Sequence, residues 1–446
     1  MIVMKFGGTS VGSPGAFENA MALVARSLSR DPVVVVSALF GVTDLLERFG
    51  RDPTSRRELA ARIIDRHRGL VREVELPESL FEPLWETFGA EAAAPGVLDA
   101  RGQDRVLSWG ERLSAVLFAA GLERHGVAAR AVVAGDAGLV TDERFGAAHP
   151  LPESQALLRA ALAARPPVPV VTGFIGRTRA GDTTTLGRGG SDFTAALLGA
   201  ALGADEIQIW TDTSGMMSAD PRIVPEARPV PRLSFAEAAE LAYFGAKVLH
   251  PKTILPAVER GIPVRVLNTQ RPDDPGSLIA ADTEPSEAHW CVKSIACKKG
   301  ITSMTVESTR MLLAHGFLAR VFDIFGRHHI AVDLVTTSEV SISLTIDDTR
   351  ALEDAVAELE TIGRVAVKRD LAVISVVGQG AATRTGLAGH LFTLLGGVDI
   401  GIEMISQGAS RINLSFVVQE HDADRAVRLL HRGLGLDAPS AGTEND

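Results

Sequence analysis

Two glycine-containing loops carry the residues of this chain that are best suited to chemistry. The first loop is KFGGTSV, from Lys5 to Val11, and the second is LGRGGSD, from Leu186 to Asp192. The three glycines of the second loop let backbone N–H groups approach a ligand without a Cβ clash. Arg188 adds a forked cation that suits a carboxylate or a phosphate. Packing does not explain this composition, so the second loop should hold an anion, and the two loops together indicate phosphoryl transfer.

The first loop alone leaves two interpretations open. Lys5 follows a predicted strand, so its ammonium group could reach a phosphate while Gly7 and Gly8 supply backbone donors. A tight turn with a solvent-exposed lysine is equally consistent with this sequence. The chain contains neither the P-loop pattern nor the glycine fingerprint of dinucleotide-binding folds, which removes those two classes.

Single residues elsewhere are ambiguous when each is taken alone. Asp212 ends a predicted strand in TDTSGMMSADPR, where it suits a nucleotide or an ordinary polar turn. Lys247 lies near a helix end, where lysine usually complements the helix dipole. Glu111 lies in the first turn of a predicted helix, where an acid ordinarily complements the helix dipole, yet it could also bind a substrate amino group. The 11 histidines lack metal-ligand spacing, and no set of nucleophile and base stands out.

The elements that position these residues alternate along the first part of the chain. From Met1 to about Gln270, short β-branched runs alternate with amphipathic helices, which predicts a largely parallel sheet covered on both faces. The first loop and Ser37 then lie at carboxyl ends of strands, where open α/β sheets bind ligands. The predicted elements are strands at Ile2 to Phe6, Val33 to Val36, Phe174 to Arg179, Thr183 to Leu186, Ile207 to Trp210 and Ile262 to Leu267, a loop from Gly7 to Gly12, a helix from Pro14 with Phe17, Ala20, Met21, Val24 and Leu28 on one face, and helices from Glu111 and about Ser234.

The pattern changes to two ferredoxin-like repeats near the carboxyl end. One complete β-α-β-β-α-β unit runs from Ile301 to Lys368, and a second begins at Leu371 but lacks its fourth strand. An unpaired strand is left over before the first unit, so we expect it to complete the second and to interlock the two. The predicted domains are a catalytic domain over 1–275, a linker over 276–290, a first module over 299–370, a second module made of 291–298 plus 371–436, and a polar tail over 437–446.

Composition limits the partners of the chain. The 446 residues carry a net charge of −10 without a dense basic tract, which argues against nucleic acid and anionic membrane. We find no signal peptide and no apolar run long enough to span a membrane. The only cysteines are Cys291 and Cys297, which we interpret as reduced residues of one strand. Reduced thiols favour a cytoplasmic location.

Taken in order, KFGGTSV, SALFGVT, GERLSA, LGRGGSD, TDTSGMMSADPR and FGAKVLHP, followed by two ferredoxin-like modules, resemble the aspartate kinases of the amino acid kinase superfamily. The resemblance spans nearly the whole chain. It implies a three-layer αβα sandwich followed by ACT domains, and an ATP-dependent 4-kinase that phosphorylates the β-carboxylate of L-aspartate with Mg²⁺ held by phosphate oxygens and water.

The resemblance also implies the roles of particular residues. Lys5, Gly8, Asp192 and Lys247 would serve catalysis. L-Aspartate would be bound by Thr9, Ser37, Thr43, Glu111, Arg188, Ser191 and Asp192. ATP would be bound by Lys5, Gly7, Gly8, Thr211, Asp212, Met217, Arg222 and Lys247. Because the β-carboxylate is already ionised at neutral pH, the reaction requires charge cancellation and in-line positioning rather than a general base.

Three positions depart from the family pattern. Met217 stands where Tyr is common and cannot donate a phenolic hydrogen bond, which bears on nucleotide affinity. Asp44 replaces a frequent Asn and Trp109 a frequent His, both beside presumed substrate residues.

The first ACT module resembles the lysine-inhibited subclass. The effector would be surrounded by Met311, Gly316, Phe317, Leu318, Asp333, Ser338 and Glu339, with a helix N-terminus for its carboxylate and two acids for its ammonium groups. Lysine is the expected effector and threonine an alternative. Arg411 stands where Glu is frequent in the second module. Such modules pair between subunits, which implies at least a homodimer and leaves a tetramer open. Two other functions stay open from the residues: a kinase for another acidic amino acid, and a non-catalytic amino-acid sensor.

Overall fold

The computed structural model describes residues 1–93, 96–163, 167–244, 251–281, 290–308, 315–408 and 412–437. Contacts among these residues divide them into two compact units. The first unit takes the described residues of Met1–Met216, Pro231–Phe235 and Val248–Thr283, and the second those of Met217–Val230, Ala236–Lys247 and Glu284–Asp446. These units cross the functional domain bounds expected from the sequence, and those bounds stay a prediction.

The elements up to residue 283 supply all of the first unit. The strands are β1 (Ile2–Phe6), β2 (Pro32–Val36), β3 (Ala129–Val132), β4 (Val140–Thr141), β5 (Val168–Thr172), β6 (Ile175–Thr178), β7 (Thr183–Thr185), β8 (Glu206–Thr211), β9 (Arg232–Ser234), β10 (Val264–Asn268) and β11 (Ser277–Ala280). The helices are α1 (Gly8–Val11), α2 (Pro14–Arg26), α3 (Val42–Arg51), α4 (Arg56–Glu73), α5 (Glu82–Ala92), α6 (Ala100–Leu107), α7 (Trp109–Arg124), α8 (Ser154–Ala161), α9 (Gly190–Leu202), α10 (Phe235–Tyr243, mostly in the second unit) and α11 (Leu255–Glu259), with 3-10 turns at Leu28–Arg30, Glu78–Leu80 and Pro251–Ile254.

The first unit is built on an eight-stranded sheet with the order β3-β5-β2-β1-β8-β10-β11-β9. Its pairs are parallel except for β10 with β11. Alternate residues of β1 face opposite ways: Ile2, Met4 and Phe6 enter a core with α2 and α7, while α9 contacts the sheet as well. Covering helices on both faces make the three-layer αβα sandwich that the sequence predicts.

Most predicted elements of this unit are present, and three details differ. The segment from Gly7 to Gly12 is not all loop, since α1 forms within it. Leu28 is 46% exposed because α2 ends at Arg26, two residues before the predicted apolar face would reach it. Part of the expected linker is β11, whose alternation Ser-Leu-Ile-Ala pairs it with β10 and β9.

The second unit contains a six-stranded antiparallel sheet with the order β13-β14-β12-β15-β17-β16. Its elements are β12 (Ser294–Glu307), α12 (Phe317–Arg327), β13 (Val335–Thr337), β14 (Ser341–Ile346), α13 (Leu352–Leu359), β15 (Arg364–Val377), α14 (Leu387–Gly396), β16 (Met404–Ser406), β17 (Asn413–Gln419) and α15 (Ala423–Gly433), with 3-10 turns at Ala381–Thr383 and Glu420–Asp422.

Two long strands interlock the ferredoxin-like modules of this sheet. The start of β12 pairs with the end of β15, as Ser294 with Val377, and the end of β12 pairs with the start of β15, as Glu307 with Arg364. The segment before the first module thus completes the second, as predicted. It begins at Ser294 rather than at Cys291, and it continues directly into the first module. Cys291 therefore precedes the strand that holds Cys297, and both are free thiols.

Candidate active site

Lys5 joins the two glycine loops. It is the fourth residue of β1, the central strand between β2 and β8, so its side chain leaves the carboxyl end of the sheet. Its Nζ lies 2.7 Å from Oδ1 of Asp192, and the two side chains are 11% and 13% exposed. The pair brings a cation from the first loop and a carboxylate from the second to one point, where burial strengthens their interaction.

The backbone after β1 requires glycine. The N–H of Gly7 donates to the Trp210 carbonyl at 3.0 Å, and the Gly8 carbonyl accepts from the N–H of Phe40 at 3.2 Å. A Cβ on Gly8 would lie 2.7 Å from the Ala38 carbonyl oxygen, closer than real side chains approach. Since α1 begins at Gly8, the loop packs flat against the segment that follows β2.

The second loop places two functional residues in the first turn of a helix. Gly187 and Gly189 have φ angles of 77° and 72°, a region that glycine adopts without strain. Helix α9 begins at Gly190, so Ser191 and Asp192 stand at its N-terminus, where the helix dipole favours negative charge. Arg188 is exposed, and within the described residues it has no salt bridge, so its guanidinium is available to a ligand.

Glu111 is a buried acid in the first turn of α7. Only 4% of it is exposed, and its Oε1 accepts a hydrogen bond from the N–H of Ala38 at 3.0 Å. Burial raises the pKa of Glu111 to about 8, although the Ala38 N–H and the charge of Lys5 oppose the rise. A cationic ligand beside this carboxyl group would favour its ionised form.

These side chains line one cavity of about 450 Å³ in the first unit. The predicted residues that it brings together are Lys5, Ser37, Thr43, Glu111, Arg188, Ser191 and Asp192. The cavity is also lined by residues that no sequence motif predicted: Glu47, Leu107, Gly146, Phe174 and Thr185. Such a space, with cations, carboxylates and helix N–H groups around it, can hold a small zwitterion and cancel the charge of a polyphosphate.

Phe174 is the most unusual of the missed residues. It has a φ angle of 66°, rare for a bulky side chain, and its N–H donates to the Thr194 hydroxyl oxygen at 3.1 Å. A Cβ on Gly190 would lie 2.7 Å from its ring, so the ring sits directly on the start of α9. Backbone strain of this kind is typical of functional sites, and no sequence pattern predicts it at this position.

Several predicted residues lie outside this cavity lining: Thr9, which was expected to bind aspartate, and all the described residues expected to bind nucleotide except Lys5. Thr9 is half-buried in α1, and Thr211 ends β8, where its hydroxyl donates to Oδ1 of the exposed Asp212 at 3.2 Å. Arg222 belongs to the second unit and forms a salt bridge of 2.6 Å with Asp220. Met217 is half-buried in the second unit, and its carbonyl accepts from the Ser294 hydroxyl at 2.7 Å. Lys247 falls outside the described residues.

The two remaining departures are not equivalent. Trp109 is 6% exposed and packs on Phe88 with ring centroids 5.6 Å apart, while Asp44 is exposed at the start of α3. Neither side chain lines the cavity, so an effect of either on substrate affinity would have to pass through a neighbouring residue.

The predicted effector residues lie in the first ferredoxin-like module, apart from Met311, which is outside the described residues. Gly316 caps α12 with a φ angle of 81°, followed by the buried Phe317 and by Leu318, which is 43% exposed. Ser338 and the exposed Glu339 form the turn between β13 and β14, where the Ser338 and Ser341 hydroxyls lie 2.7 Å apart.

Asp333 already has partners from its own chain. Its Oδ2 lies 3.0 Å from Nζ of Lys298, which also contacts Asp347 at 2.8 Å, and its Oδ1 accepts from the Tyr243 hydroxyl. Lys298 stands beside a register shift in β12, which directs its side chain to this point. An effector ammonium group would therefore have to compete with Lys298 for Asp333, and the effector role of Asp333 stays a prediction.

Comparison with known proteins agrees with this architecture. The model of the Amino acid kinase family matches residues 1–268, and the model of the ACT domain matches residues 304–361 and 374–434. Fold and site together define an amino acid kinase with ACT domains. No helix within the described residues has the length and apolar character to cross a membrane.

The relatives narrow that class. The lysine-sensitive aspartokinase 3 of Escherichia coli is 39% identical over 453 residues, covering 97% of this chain and 99% of that protein. The chloroplastic aspartokinase 1 of Arabidopsis thaliana is 39% identical over 458 residues, or 96% of this chain and 79% of that protein. The crystal structure of E. coli aspartokinase III in complex with aspartate and ADP covers 98% of this chain and 100% of its own, with 37% identity and a TM-score of 0.83. The chain belongs to the aspartokinase family and is an aspartate kinase.

Proposed function

We propose that the cavity in the first unit is the aspartate site of an ATP-dependent aspartate 4-kinase. The observation that carries this proposal is the convergence of Lys5, Asp192, Arg188 and Glu111 on one small space at the carboxyl end of the sheet. Arg188 binds the α-carboxylate of L-aspartate, and Glu111 binds its α-ammonium group. Ser37, Thr43 and Ser191 supply hydroxyl groups along the rest of the substrate.

The reaction follows from these positions. An oxygen of the β-carboxylate attacks the γ-phosphorus of ATP, the new O–P bond forms as the bond to the ADP oxygen breaks, and ADP leaves with the released electron pair. Lys5 lies at the point where the negative charges of both reactants meet. The N–H of Gly8 adds a neutral donor, whereas the N–H of Gly7 is already bonded to the Trp210 carbonyl. Asp192 holds the Lys5 ammonium in place, which is a positioning role. No proton needs to be removed from the nucleophile, so the lack of a general base is no obstacle.

ATP enters as its magnesium complex. The ion neutralises the phosphates when bound, and phosphate oxygens and water supply most of its ligands. Within the described residues no cluster of three His, Cys, Asp or Glu side chains could hold a metal ion alone. Asp212, Thr211, Arg222, Met217 and Lys247 are proposed for the nucleotide, while Thr9 completes the first loop. Arg222 pairs with Asp220 through Nε and Nη2. Its remaining N–H groups, or the whole guanidinium after release from Asp220, would bind phosphate.

Lysine is the proposed effector, at the first ACT module. The named lysine sensitivity of the E. coli relative, and its crystal structure in complex with lysine and aspartate at 37% identity and a TM-score of 0.79, support this assignment. We also propose a homodimer through these modules and a cytoplasmic location, from the pairing habit of ACT domains and the two free thiols.

The substrate assignment is tested by ADP release with Mg-ATP and a panel of acceptors. L-Aspartate should support turnover, while N-acetyl-L-aspartate should not, since acylation removes the ammonium group that Glu111 binds. L-Glutamate should be at least about ten-fold poorer in kcat/KM, because one more methylene displaces the nucleophile. Equal rates with aspartate and its N-acetyl form would overturn the role of Glu111. No aspartate-dependent ADP release from folded protein would overturn the proposed activity and leave an amino-acid sensor.

A further inference from the structure

Asp104 is a buried carboxylate that the reaction does not use. It lies on α6 and is 1% exposed, and within the described residues no salt bridge is made to it. Burial raises the pKa of Asp104, against the effect of its hydrogen bonds. An unpaired buried acid costs free energy, and an apolar residue on this helix would pack without that cost. A role other than stability would account for its presence.

Its hydrogen bonds join two segments that are far apart in the sequence. Oδ2 accepts from the N–H of Gly146 at 2.9 Å and from the N–H of Thr185 at 2.7 Å. Oδ1 accepts from the hydroxyl of Thr185 at 2.8 Å. The Thr185 carbonyl in turn accepts from the N–H of Ala148 at 2.9 Å. One carboxylate thus fixes the end of β7 and the loop after β4 against α6.

Both segments border the substrate cavity. Gly146 and Thr185 line it, and Thr185 directly precedes the LGRGGSD loop. A Cβ on Gly187 would lie 3.2 Å from the Gly146 carbonyl oxygen, so the two backbones are nearly in contact at that point. The side chain of Arg188 is exposed, so the position of its backbone determines which part of the cavity the guanidinium can reach. A shift of Thr185 would therefore move Arg188.

We propose that Asp104 is a positioning residue for aspartate binding, whose carboxylate fixes Thr185 and Gly146 and thereby the backbone that presents Arg188 to the substrate. The proposal rests on the proposed assignment of this cavity to aspartate. Asp104 touches neither reactant. Its effect should fall on aspartate and not on ATP, since its bonds reach only the Arg188 side of the cavity.

Two variants of Asp104 separate this role from simple burial. In Asp104→Ala the three donors lose their acceptor, and the KM for L-aspartate should rise about 10- to 100-fold, the cost of unpaired buried donors, while the KM for ATP stays within about two-fold. In Asp104→Asn the side-chain oxygen can accept both N–H groups, and the amide can donate to the Thr185 hydroxyl. The conservative variant should therefore restore the KM for L-aspartate to within about three-fold of wild type.

Asp142 provides a matched control nearby. Its carboxylate accepts N–H groups of Arg144 and His149 in the same loop, but neither donor lines the cavity. Asp142→Ala should leave both KM values within about two-fold of wild type. If it raises the KM for L-aspartate as much as Asp104→Ala does, general loosening of the loop explains the effect and the proposal is overturned.

A double variant tests the route through Arg188. If Asp104 acts by placing Arg188, Asp104→Ala should raise the KM for L-aspartate much less in an Arg188→Ala background than in wild type. Multiplicative effects would contradict the proposal. Should Asp104→Ala fail to fold, Thr185→Val keeps the backbone bond, removes the hydroxyl donor, and should still raise the KM for L-aspartate by about three- to ten-fold. No rise in Thr185→Val, with wild type active, would overturn the positioning role alone, whereas an inactive wild type would overturn the aspartate assignment beneath it.

Discussion

The protonation of Glu111 should control aspartate use in the pH range of the assay. With a pKa of about 8 in the free enzyme, only about a tenth of Glu111 is ionised at about pH 7, and about three quarters at pH 8.5. If the ionised form binds the substrate ammonium group, kcat/KM for L-aspartate should rise about eight-fold over that interval, because kcat/KM reports groups of the free enzyme.

The variant Glu111→Gln isolates this effect. It keeps the shape and the Ala38 hydrogen bond but cannot ionise. L-Aspartate itself titrates at high pH, and the ratio of wild-type to variant kcat/KM cancels that contribution. This ratio should rise with pH, while the KM for ATP should show no matching change. A ratio that is constant from about pH 6.5 to pH 8.5 would refute the reasoning about Glu111.

The same group predicts a dependence of stability on pH. Its pKa is raised on folding from an ordinary value of 4.5 to about 8, so the stability that its protonated form contributes is full below pH 4.5 and is lost as the pH rises through 8. From the linkage relation, about 2 kcal/mol is lost between about pH 6 and pH 8. Thermal unfolding of Glu111→Gln should therefore show a Tm advantage over wild type that grows with pH. An equal Tm difference at both pH values would contradict the raised pKa.

Two further substitutions test the catalytic cation and the effector site. Lys5→Met removes the cation at the meeting point of the reactants, so kcat of the folded variant should fall at least about 100-fold. The Tm should fall as well, because Asp192 is left buried without its partner. A kcat within about ten-fold of wild type would remove Lys5 from catalysis. Lys298→Met frees Asp333 for an added ammonium group, so the lysine concentration for half-inhibition should fall about ten-fold, while a rise would mean that Lys298 binds the effector itself. Tyr243 is the only tyrosine of the chain and donates to Asp333, so ¹⁹F NMR of 3-fluorotyrosine-labelled protein gives a single resonance that should shift as lysine binds.

Local chemistry explains why much of the fold could be predicted. The β-branched runs of β1 and β2, the Ser13-Pro14 start of α2 and the turn at 180–182 are each set by neighbouring residues. The interlocking of the two modules could also be predicted from the sequence. The second module lacks one strand, and the unpaired strand before the first module supplies it. The proline and glycine content around β11 predicted a linker over 276–290. That content obscured the four-residue segment that forms this strand.

The missed site residues depend on contacts that no local pattern carries. Asp104 meets Thr185 across 81 positions, and Lys298 meets Asp333 across 35. Phe174 has a positive φ and its ring lies against the start of α9. In each case the partner is set by tertiary packing, so the residue type alone looks ordinary. Lys5 and Arg188 could be predicted from glycine and charge motifs, whose composition is itself unusual, whereas aspartate-binding roles for Ser37, Thr43 and Ser191 were predicted only by the resemblance to the aspartate kinases.

Identification of the trapped product tests the central claim most directly. Purified protein incubated with Mg-ATP, L-aspartate and hydroxylamine should yield β-aspartyl hydroxamate in equal amount to ADP, since hydroxylamine intercepts an acyl phosphate at the carbon that bears it. Release of ADP with aspartate present but without this hydroxamate, or with the α-hydroxamate in its place, would contradict phosphoryl transfer to the β-carboxylate.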